Sequence, residues 1–247
     1  MHRFFVPAEQ LNEINNSISL PKELAHQVRD VIRLGIGEHL LLLDNSGDEV
    51  LAAVSSISKV GVEVHLLERR PGKSEPAVRI ILCQGMLKST RFEWILEKGT
   101  ELGVSVFSPI VCRRSMAGLE DIGASKIQRW QRIIQEATEQ CGRSRLPQLL
   151  PIRPLSEALN DIPSNALAIM PWEEEHTLTL HKVLNKKTLS SLLSVFLFIG
   201  PEGGLTAEEV TSARRKDVQV VNLGSRILRA ETAAIMTVAN VMYELER

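Results

Sequence analysis

The residues that could do chemistry are concentrated in three segments, each of which follows an apolar, strand-like run. They are "MPWEEE" (170–175), "GPEGG" (200–204) and "LGSRILRAET" (223–232). Glycines let the backbone of the second segment approach a ligand closely, and Thr206 with Glu209 then fits a capping box that opens a helix. Backbone N–H donors at a helix start face whatever lies beyond the strand. A tight strand-to-helix turn would also explain the glycines. By itself this segment therefore fits either a turn or a binding loop, and it does not identify a ligand.

Familiar nucleotide and metal patterns are missing from the sequence. There is no G-x-x-x-x-G-K-[ST] loop, and "GIGEHL" (35–40) lacks the third glycine of a dinucleotide fingerprint and runs into a strand. His176 and His181 are five residues apart, which does not place two ligands on one helical face. Three widely spaced cysteines form no CxxC pair: Cys83, Cys112 and Cys141. These absences weaken an oxidoreductase or kinase interpretation and predict no metal site and no disulfide framework.

The elements that must position the three segments alternate between strands and helices. Apolar strand-like runs alternate with amphipathic helical ones, which predicts an α/β domain with a mostly parallel sheet covered on both faces. In such sheets ligands bind beyond the carboxyl ends of strands, where all three segments fall. The predicted strands cover 78–85, 104–110, 166–170, 195–200 and 218–224, and the predicted helices cover 91–103, 125–142, a run from Thr206, and 232–245.

The first part of the chain has a different pattern. Short strand-like runs cover 39–44, 48–57 and 61–67, and Pro21 opens a helix with Leu24, Val28 and Val31 at helical spacing. The pattern predicts a small β-barrel with an inserted helix. The segment "ERRPGKSEPAV" (68–78) interrupts the periodicity, so we expect two domains, 1–72 and 73–247.

Composition narrows the compartment and the partners. The start "MHRFFVPAEQ" lacks the apolar core of a signal peptide, and no apolar run approaches the roughly 20 residues of a membrane span, so we expect a cytoplasmic protein without membrane contact. The net charge is −1, but residues 124–153 carry six Lys and Arg against two Asp and Glu. That local excess fits either a solvated helix face or a surface for nucleic acid.

Two of the chemical segments together carry a family resemblance. "FIGPEGGLTAEEV" (198–210) followed by "LGSRILRAETAA" (223–234) resembles the RsmE family of ribosomal RNA uridine-N3 methyltransferases, in the SPOUT superfamily. Further matches run through nearly the whole chain: "RFF", "VIRLGIGE", "EKGTELGV", "EATEQCGRSRLP" and "MPWEEE".

What the resemblance implies is both a fold and an activity. It implies a PUA-like barrel followed by a SPOUT-type parallel sheet with a C-terminal trefoil knot, with S-adenosylmethionine bound at the knot. The implied substrate is N3 of a uridine in 16S ribosomal RNA, within a small-subunit particle. A homodimer with its sites at the subunit interface is also implied. The final helix is compatible with a dimer contact, because it carries an apolar stripe of Ile235, Val238, Met242 and Leu245.

Site residues follow from the resemblance together with the chemistry. Uridine N3 must lose its proton, which spreads negative charge onto the neighbouring carbonyl oxygens, and a guanidinium stabilises that charge. We therefore expect Arg229, and after it Arg226, to be catalytic, with Glu231 or Glu202 as the base. The expected cofactor wall is Met170, Ile199, Gly200, Pro201, Glu202, Gly203, Leu223, Gly224, Ile227 and Leu228. The expected RNA contacts are Arg3, Arg33, Arg143 and Arg145.

Two tryptophans and two alternative functions complete the expectations. Trp130 lies among isoleucines of an amphipathic helix and is expected in the core, whereas Trp172 is expected to line the pocket. A SPOUT enzyme acting on a ribose 2′-hydroxyl or on transfer RNA is the nearest alternative. A non-catalytic RNA-binding protein with the same fold is the second.

Overall fold

A computed structural model describes residues 1–11, 16–116, 118, 122–184 and 193–246. The chain divides into two compact units, Met1–Glu75 with Thr138–Leu146, and Pro76–Ala137 with Pro147–Arg247. The expected domains, 1–72 and 73–247, differ from these units mainly in the segment 138–146. Hydrogen bonds explain the difference, because the Phe5 N–H donates to Glu139 and the Leu146 N–H donates to Asn45.

The first unit contains a five-stranded sheet in the order β1-β3-β4-β5-β2. The β1–β3 pairing is parallel and the other pairings are antiparallel. The three predicted strands are confirmed, whereas β1 and β2 are too short for an apolar pattern to reveal them. The strands are β1 (Arg3–Phe5), β2 (Ser17–Ser19), β3 (His39–Leu43), β4 (Asp48–Ile57) and β5 (Val62–Pro71).

The predicted helix of this unit is present but has an irregular second half. Helix α1 (Lys22–His26) continues as a π-helical turn, Gln27–Ile32. A π turn has more residues than an α turn, so the position that returns to the core after Val28 is Ile32 rather than Val31. Val31 is exposed, and its predicted place on the buried face is wrong.

The second unit is the α/β domain that the alternating pattern predicts. Its seven described strands pair in parallel, in the order β12-β10-β11-β6-β7-β8 with β9 beside β7. The short strands β8 and β9 were not predicted. The strands are β6 (Arg79–Gly85), β7 (Val104–Val111), β8 (Gln148–Leu149), β9 (Arg153–Pro154), β10 (Ala166–Pro171), β11 (Ser194–Ile199) and β12 (Gln219–Val221).

Helices cover both faces of this sheet, as predicted. Along β6, Ile80 and Leu82 join one buried cluster while Ile81 and Cys83 join another, which is the period-2 alternation of a strand between two layers. Trp130 is in the core, as expected. The helices are α2 (Ser89–Glu101), α3 (Ala124–Cys141), α4 (Leu155–Asn160), α5 (Leu180–Val183), α6 (Ala207–Arg214) and α7 (Ala230–Leu245). Of these, α4 and α5 were not predicted.

The parallel pairing decides where the chemical segments lie. Strands β6, β10, β11 and β12 are neighbours and run in one direction, so the segments that follow them emerge at one edge of the sheet. The three segments singled out in the sequence follow β10, β11 and β12. Helix α7 then leaves the edge strand β12 and packs against α2, β11 and β6.

Candidate functional site

A cleft of about 520 Å³ lies where the three segments meet. This volume is in the range of small-molecule sites. Its walls include most of the residues expected to bind the cofactor, namely Ile199, Gly200, Pro201, Glu202, Gly203, Leu223, Gly224, Ile227 and Leu228. The structure therefore brings two segments together that are separated by 18 residues in the sequence, from Gly204 to Leu223.

The glycine loop, Gly200–Gly204, is shaped by contacts with the protein itself. A Cβ on Gly203 would lie 2.7 Å from the Arg114 carbonyl oxygen, and Gly204 has a φ of +72°. The Arg114 guanidinium donates to the carbonyls of Gly203 and Leu205, each at 3.4 Å. The tight-turn explanation and the binding-loop prediction are thus compatible, because packing requires the glycines and the loop also lines the cleft.

Gly85, at the end of β6, is a second position where packing requires glycine, and no pattern in the sequence indicates it. A Cβ there would lie 2.5 Å from the Pro201 nitrogen and 2.8 Å from the Gly200 carbonyl carbon. Real Cβ atoms do not approach backbone so closely, so only glycine lets β6 and the glycine loop lie side by side.

The predicted capping box at the start of α6 is confirmed. The Thr206 hydroxyl accepts from the Glu209 N–H at 3.3 Å, and the Glu209 carboxylate accepts from the Thr206 N–H at 2.8 Å. The other carboxylate oxygen of Glu209 accepts from the Arg113 N–H at 2.8 Å. This carboxylate therefore fixes the end of the glycine loop and the segment after β7 together.

The arginine loop, Leu223–Arg229, forms the facing wall and carries the expected catalytic residues. Arg226 and Arg229 line the cleft, and Arg229 is the N-cap residue of α7. Gly224 has a φ of +120°, and its N–H donates to the Asn222 side chain at 2.6 Å. Ile227 is 88% exposed, so it stands at the mouth of the cleft rather than as a buried wall.

The two expected bases lie on either side of an arginine that sequence reasoning missed. Arg91, on α2, lines the cleft, with Nη1 3.4 Å from a Glu202 oxygen and Nε 3.6 Å from a Glu231 oxygen. Glu202 lines the cleft, but Glu231 does not. The structure thus favours Glu202 over Glu231 as the carboxylate in reach of a ligand.

Met170 does not have the place that was expected. It is fully buried and belongs to the core cluster that includes Phe198 and Val220. The period-2 alternation of β10 directs it into the core, whereas the cleft begins one residue later, at Pro171. Its side chain therefore does not line the cleft, where a cofactor contact was expected.

Trp172 lines the cleft, as expected, and is held from behind. The Arg214 guanidinium lies 5.9 Å from its ring centroid and is 2.7 Å from a Glu175 oxygen. Hydrogen bonds from the Thr177 hydroxyl, the Thr177 N–H and the Leu178 N–H lower the pKa of Glu175 to about 2. The Trp172 Nε1 is buried without a partner among the described residues.

The four expected RNA contacts lie in the first unit, and one of them has a buried side chain. Arg143 is only 3% exposed, and its guanidinium is bound to Glu75, with Nη2 2.8 Å from one carboxylate oxygen. Arg33 and Arg145 are exposed, and Arg3 is half-buried with Nε 3.7 Å from Glu49. Arg143 is thus a structural residue, while Arg33 and Arg145 have the exposure that a phosphate contact requires.

The described ranges include no helix that combines the length and the apolar character of a membrane span. They also contain no cluster of three or more His, Cys, Asp or Glu side chains in a geometry that could hold a metal ion.

Comparison with known proteins agrees with this geometry. Residues 73–242 match the family model described as an RNA methyltransferase domain. The chain is 31% identical to ribosomal RNA small subunit methyltransferase E of Bacillus subtilis, covering 100% of this chain and 98% of the relative. It is 30% identical to the protein of the same name from Synechocystis, covering 99% of this chain and 78% of that relative.

A solved structure extends the similarity to three dimensions. Ribosomal RNA small subunit methyltransferase E from Neisseria gonorrhoeae, bound to S-adenosylmethionine, superimposes with a TM-score of 0.86 at 29% identity. The match covers 98% of this chain and 97% of that one, so both units have counterparts there.

Proposed function

The chain belongs to the ribosomal RNA small subunit methyltransferase E family, and from this premise we propose that it transfers a methyl group from S-adenosylmethionine to N3 of a uridine in 16S ribosomal RNA. The observation that carries the proposal is the cleft, in which the glycine loop and the arginine loop meet. The S-adenosylmethionine bound to the Neisseria relative supports the choice of cofactor.

The residues of the cleft fit this cofactor. Adenine and methionine groups require apolar walls and hydrogen bonds from the backbone, and Ile199, Pro201, Leu223 and Leu228 provide apolar surface. When bound, S-adenosylmethionine supplies an electrophilic methyl group on a sulfonium.

The chain's own residues then have two tasks. N3 of uridine must lose its proton before or during attack. Glu173 and Glu202 both line the cleft, and Glu202, the expected base of the two, is the group that we propose accepts the proton. Loss of that proton spreads negative charge onto the carbonyl oxygens beside N3. Attack of N3 on the methyl carbon would then form the C–N bond, break the C–S bond and release S-adenosylhomocysteine. Arg229, with Arg226 beside it, stabilises that charge. One such donor contributes about 3 kcal/mol to lowering a barrier.

Finer features of the fold are part of the same proposal. We take the first unit to be a PUA-like barrel that binds RNA, and the second to be a SPOUT domain with a C-terminal trefoil knot. The knot is proposed from the family assignment, with α7 as the element that returns from the edge strand β12 to the middle of the sheet. The exposed Arg33 and Arg145 support RNA binding by the first unit.

The proposed assembly is a homodimer. The 88% exposure of Ile227 at the mouth of the cleft and the exposure of Tyr243 on α7 support it, because a second copy would cover apolar surface there. We further propose that the protein acts in the cytoplasm, on a small-subunit particle.

The test is methyl transfer from labelled S-adenosylmethionine to 16S ribosomal RNA, supplied either naked or within 30S particles, followed by mass spectrometry of the nucleosides. We expect 3-methyluridine, and more of it on the particle. Label on a ribose 2′-hydroxyl or in transfer RNA would identify the alternative SPOUT activity. Binding of RNA without transfer would identify a non-catalytic protein, and either result would overturn the proposal.

A further inference from the structure

Arg91 connects the two loops that form the cleft. It extends from the first turn of α2, and its guanidinium is 3.4 Å from Glu202 on the glycine loop. The same guanidinium is 3.6 Å from Glu231 in the first turn of α7. Two walls that come from different parts of the chain therefore share one cation.

Glu231 depends on this cation more than Glu202 does. Its side chain is only 14% exposed, and its Oε2 is buried with no hydrogen-bond partner among the described residues. A desolvated carboxylate requires compensation, which here comes from Arg91 and from the positive end of α7. Losing Arg91 would break the ion pair that ties the first turn of α7 to α2, so that turn would no longer be held in place beside the cleft.

Movement of that turn would displace the proposed catalytic arginine. Arg229 is the N-cap of α7, two residues before Glu231, and its carbonyl accepts the Ala233 N–H at 2.8 Å. The backbone position of Arg229 is therefore tied to the same turn that holds Glu231. A shift of about 1 Å in a catalytic group can cost about 100-fold in rate.

We propose that Arg91 is a positioning residue for methyl transfer, which acts through Glu231 to hold Arg229 at the cleft. Arg91 is 39% exposed on its side chain, so its ion pairs contribute little to overall stability. Its effect is on geometry. The inference rests on the proposed function, because it requires that Arg229 act on the transition state.

The first experiment compares Arg91→Met with Arg129→Met in single-turnover methylation at saturating cofactor and RNA. Arg129, on α3, forms a bidentate ion pair with Glu93 of α2, at 2.8 and 2.9 Å, but does not line the cleft. We expect Arg91→Met to lower the rate by about 10- to 100-fold and Arg129→Met to leave it unchanged. Melting temperatures should be close to wild type for both variants, and equal rates for both would overturn the proposal.

A double-mutant cycle with Arg229→Ala separates positioning from other roles. If Arg91 acts through Arg229, adding Arg91→Met to Arg229→Ala should lower the rate by less than about threefold further. Full additivity of the two losses would overturn the positioning role while leaving the proposed catalysis intact. A normal rate for Arg229→Ala alone would instead remove the catalytic assignment itself.

Glu231→Gln removes the same ion pair from the other side, so the proposal can still be tested if Arg91→Met does not fold. This variant keeps the shape of the side chain but removes its charge, so the pair with Arg91 is lost without an unpaired buried carboxylate. We expect a loss of rate in the same direction that is likewise suppressed in the Arg229→Ala background. An unchanged rate for Glu231→Gln would contradict the route through Glu231.

Discussion

The buried arginine of the first unit offers a test of the structure against a simpler reading of the sequence. Arg143 and Arg145 lie two residues apart in a basic segment, and their types alone suggested two phosphate contacts. In the structure Glu75 accepts from Arg143 Nη2 at 2.8 Å and from the Ser144 and Arg145 N–H groups at 3.0 Å each. The Glu75 carboxylate thus organises the backbone of the segment, and Arg143 neutralises it. We expect Arg143→Met to unfold the segment rather than to weaken RNA binding selectively.

The size of this effect follows from the burial of the pair. Removing one partner of a buried ion pair costs about 3–5 kcal/mol. Glu75 is 21% exposed on its side chain and keeps two backbone N–H donors, which favours the lower end, about 3 kcal/mol. A chain of this size loses about 2–4 °C of melting temperature per kcal/mol, so Tm should fall by about 6–12 °C.

The assay pairs Arg143→Met with Arg145→Met in thermal unfolding and in RNA binding over a range of salt concentrations. Arg145 is exposed, so its variant should keep the wild-type Tm. If Arg145 meets a phosphate, its loss should reduce the slope of log K against log salt by about one. A stable Arg143→Met protein with a reduced salt slope would refute this reasoning and restore Arg143 as an RNA contact.

Four further outcomes are expected. Arg229→Ala should lower single-turnover methylation by about 100-fold with little change in cofactor affinity by calorimetry, because its interaction is strongest in the transition state. Gly85→Ala should destabilise the second unit by about 1–3 kcal/mol in urea unfolding and weaken cofactor binding, since the new Cβ would lie 2.5 Å from the Pro201 nitrogen. The pKa of Glu175 is about 2, against a usual 4.5, so its contribution to the free energy of unfolding is present above about pH 4.5 and is lost as the pH falls towards 2. Glu175→Gln should therefore flatten the dependence of the unfolding free energy on pH in that range. An unchanged dependence would contradict the lowered pKa. Light scattering at micromolar concentration should give the mass of a dimer, and a monomer at every concentration would exclude the proposed assembly.

Much of the fold could be predicted from the hydrophobic periodicity of the sequence and from the capping box. The α/β domain with its parallel sheet, the strands and helices on each side of the glycine loop, and the capping box of Thr206 and Glu209 are all local patterns of the chain. Parallel strands then place the following segments at one edge by geometry alone. This geometry predicts where the three segments meet, and the family resemblance supplied the individual residues expected in the cleft wall.

Long-range contacts were not open to the same reasoning. Arg91 lies 111 residues from Glu202 and 140 residues from Glu231, and no local pattern links an arginine of α2 to either. Arg143 was expected to be free to contact RNA, because its partner, Glu75, is 68 residues away and no local pattern indicates the pair. For charged side chains, the distant partner decides whether the group is structural or free to bind.

The glycine loop shows how a binding site can be formed before its ligand arrives. The Cβ of any larger residue at position 203 would meet the Arg114 carbonyl oxygen, and Gly204 needs its positive φ, so the protein's own packing fixes the loop. A substitution such as Gly203→Val should therefore disrupt the packing of the loop against Arg114 as well as the approach of a ligand. A loop held from behind by Arg114 and from the side by Arg91 does not have to be ordered by the ligand. The conformational entropy of the loop is then lost during folding and not on binding. Binding energy at the cleft therefore remains available for orienting the methyl group towards the substrate.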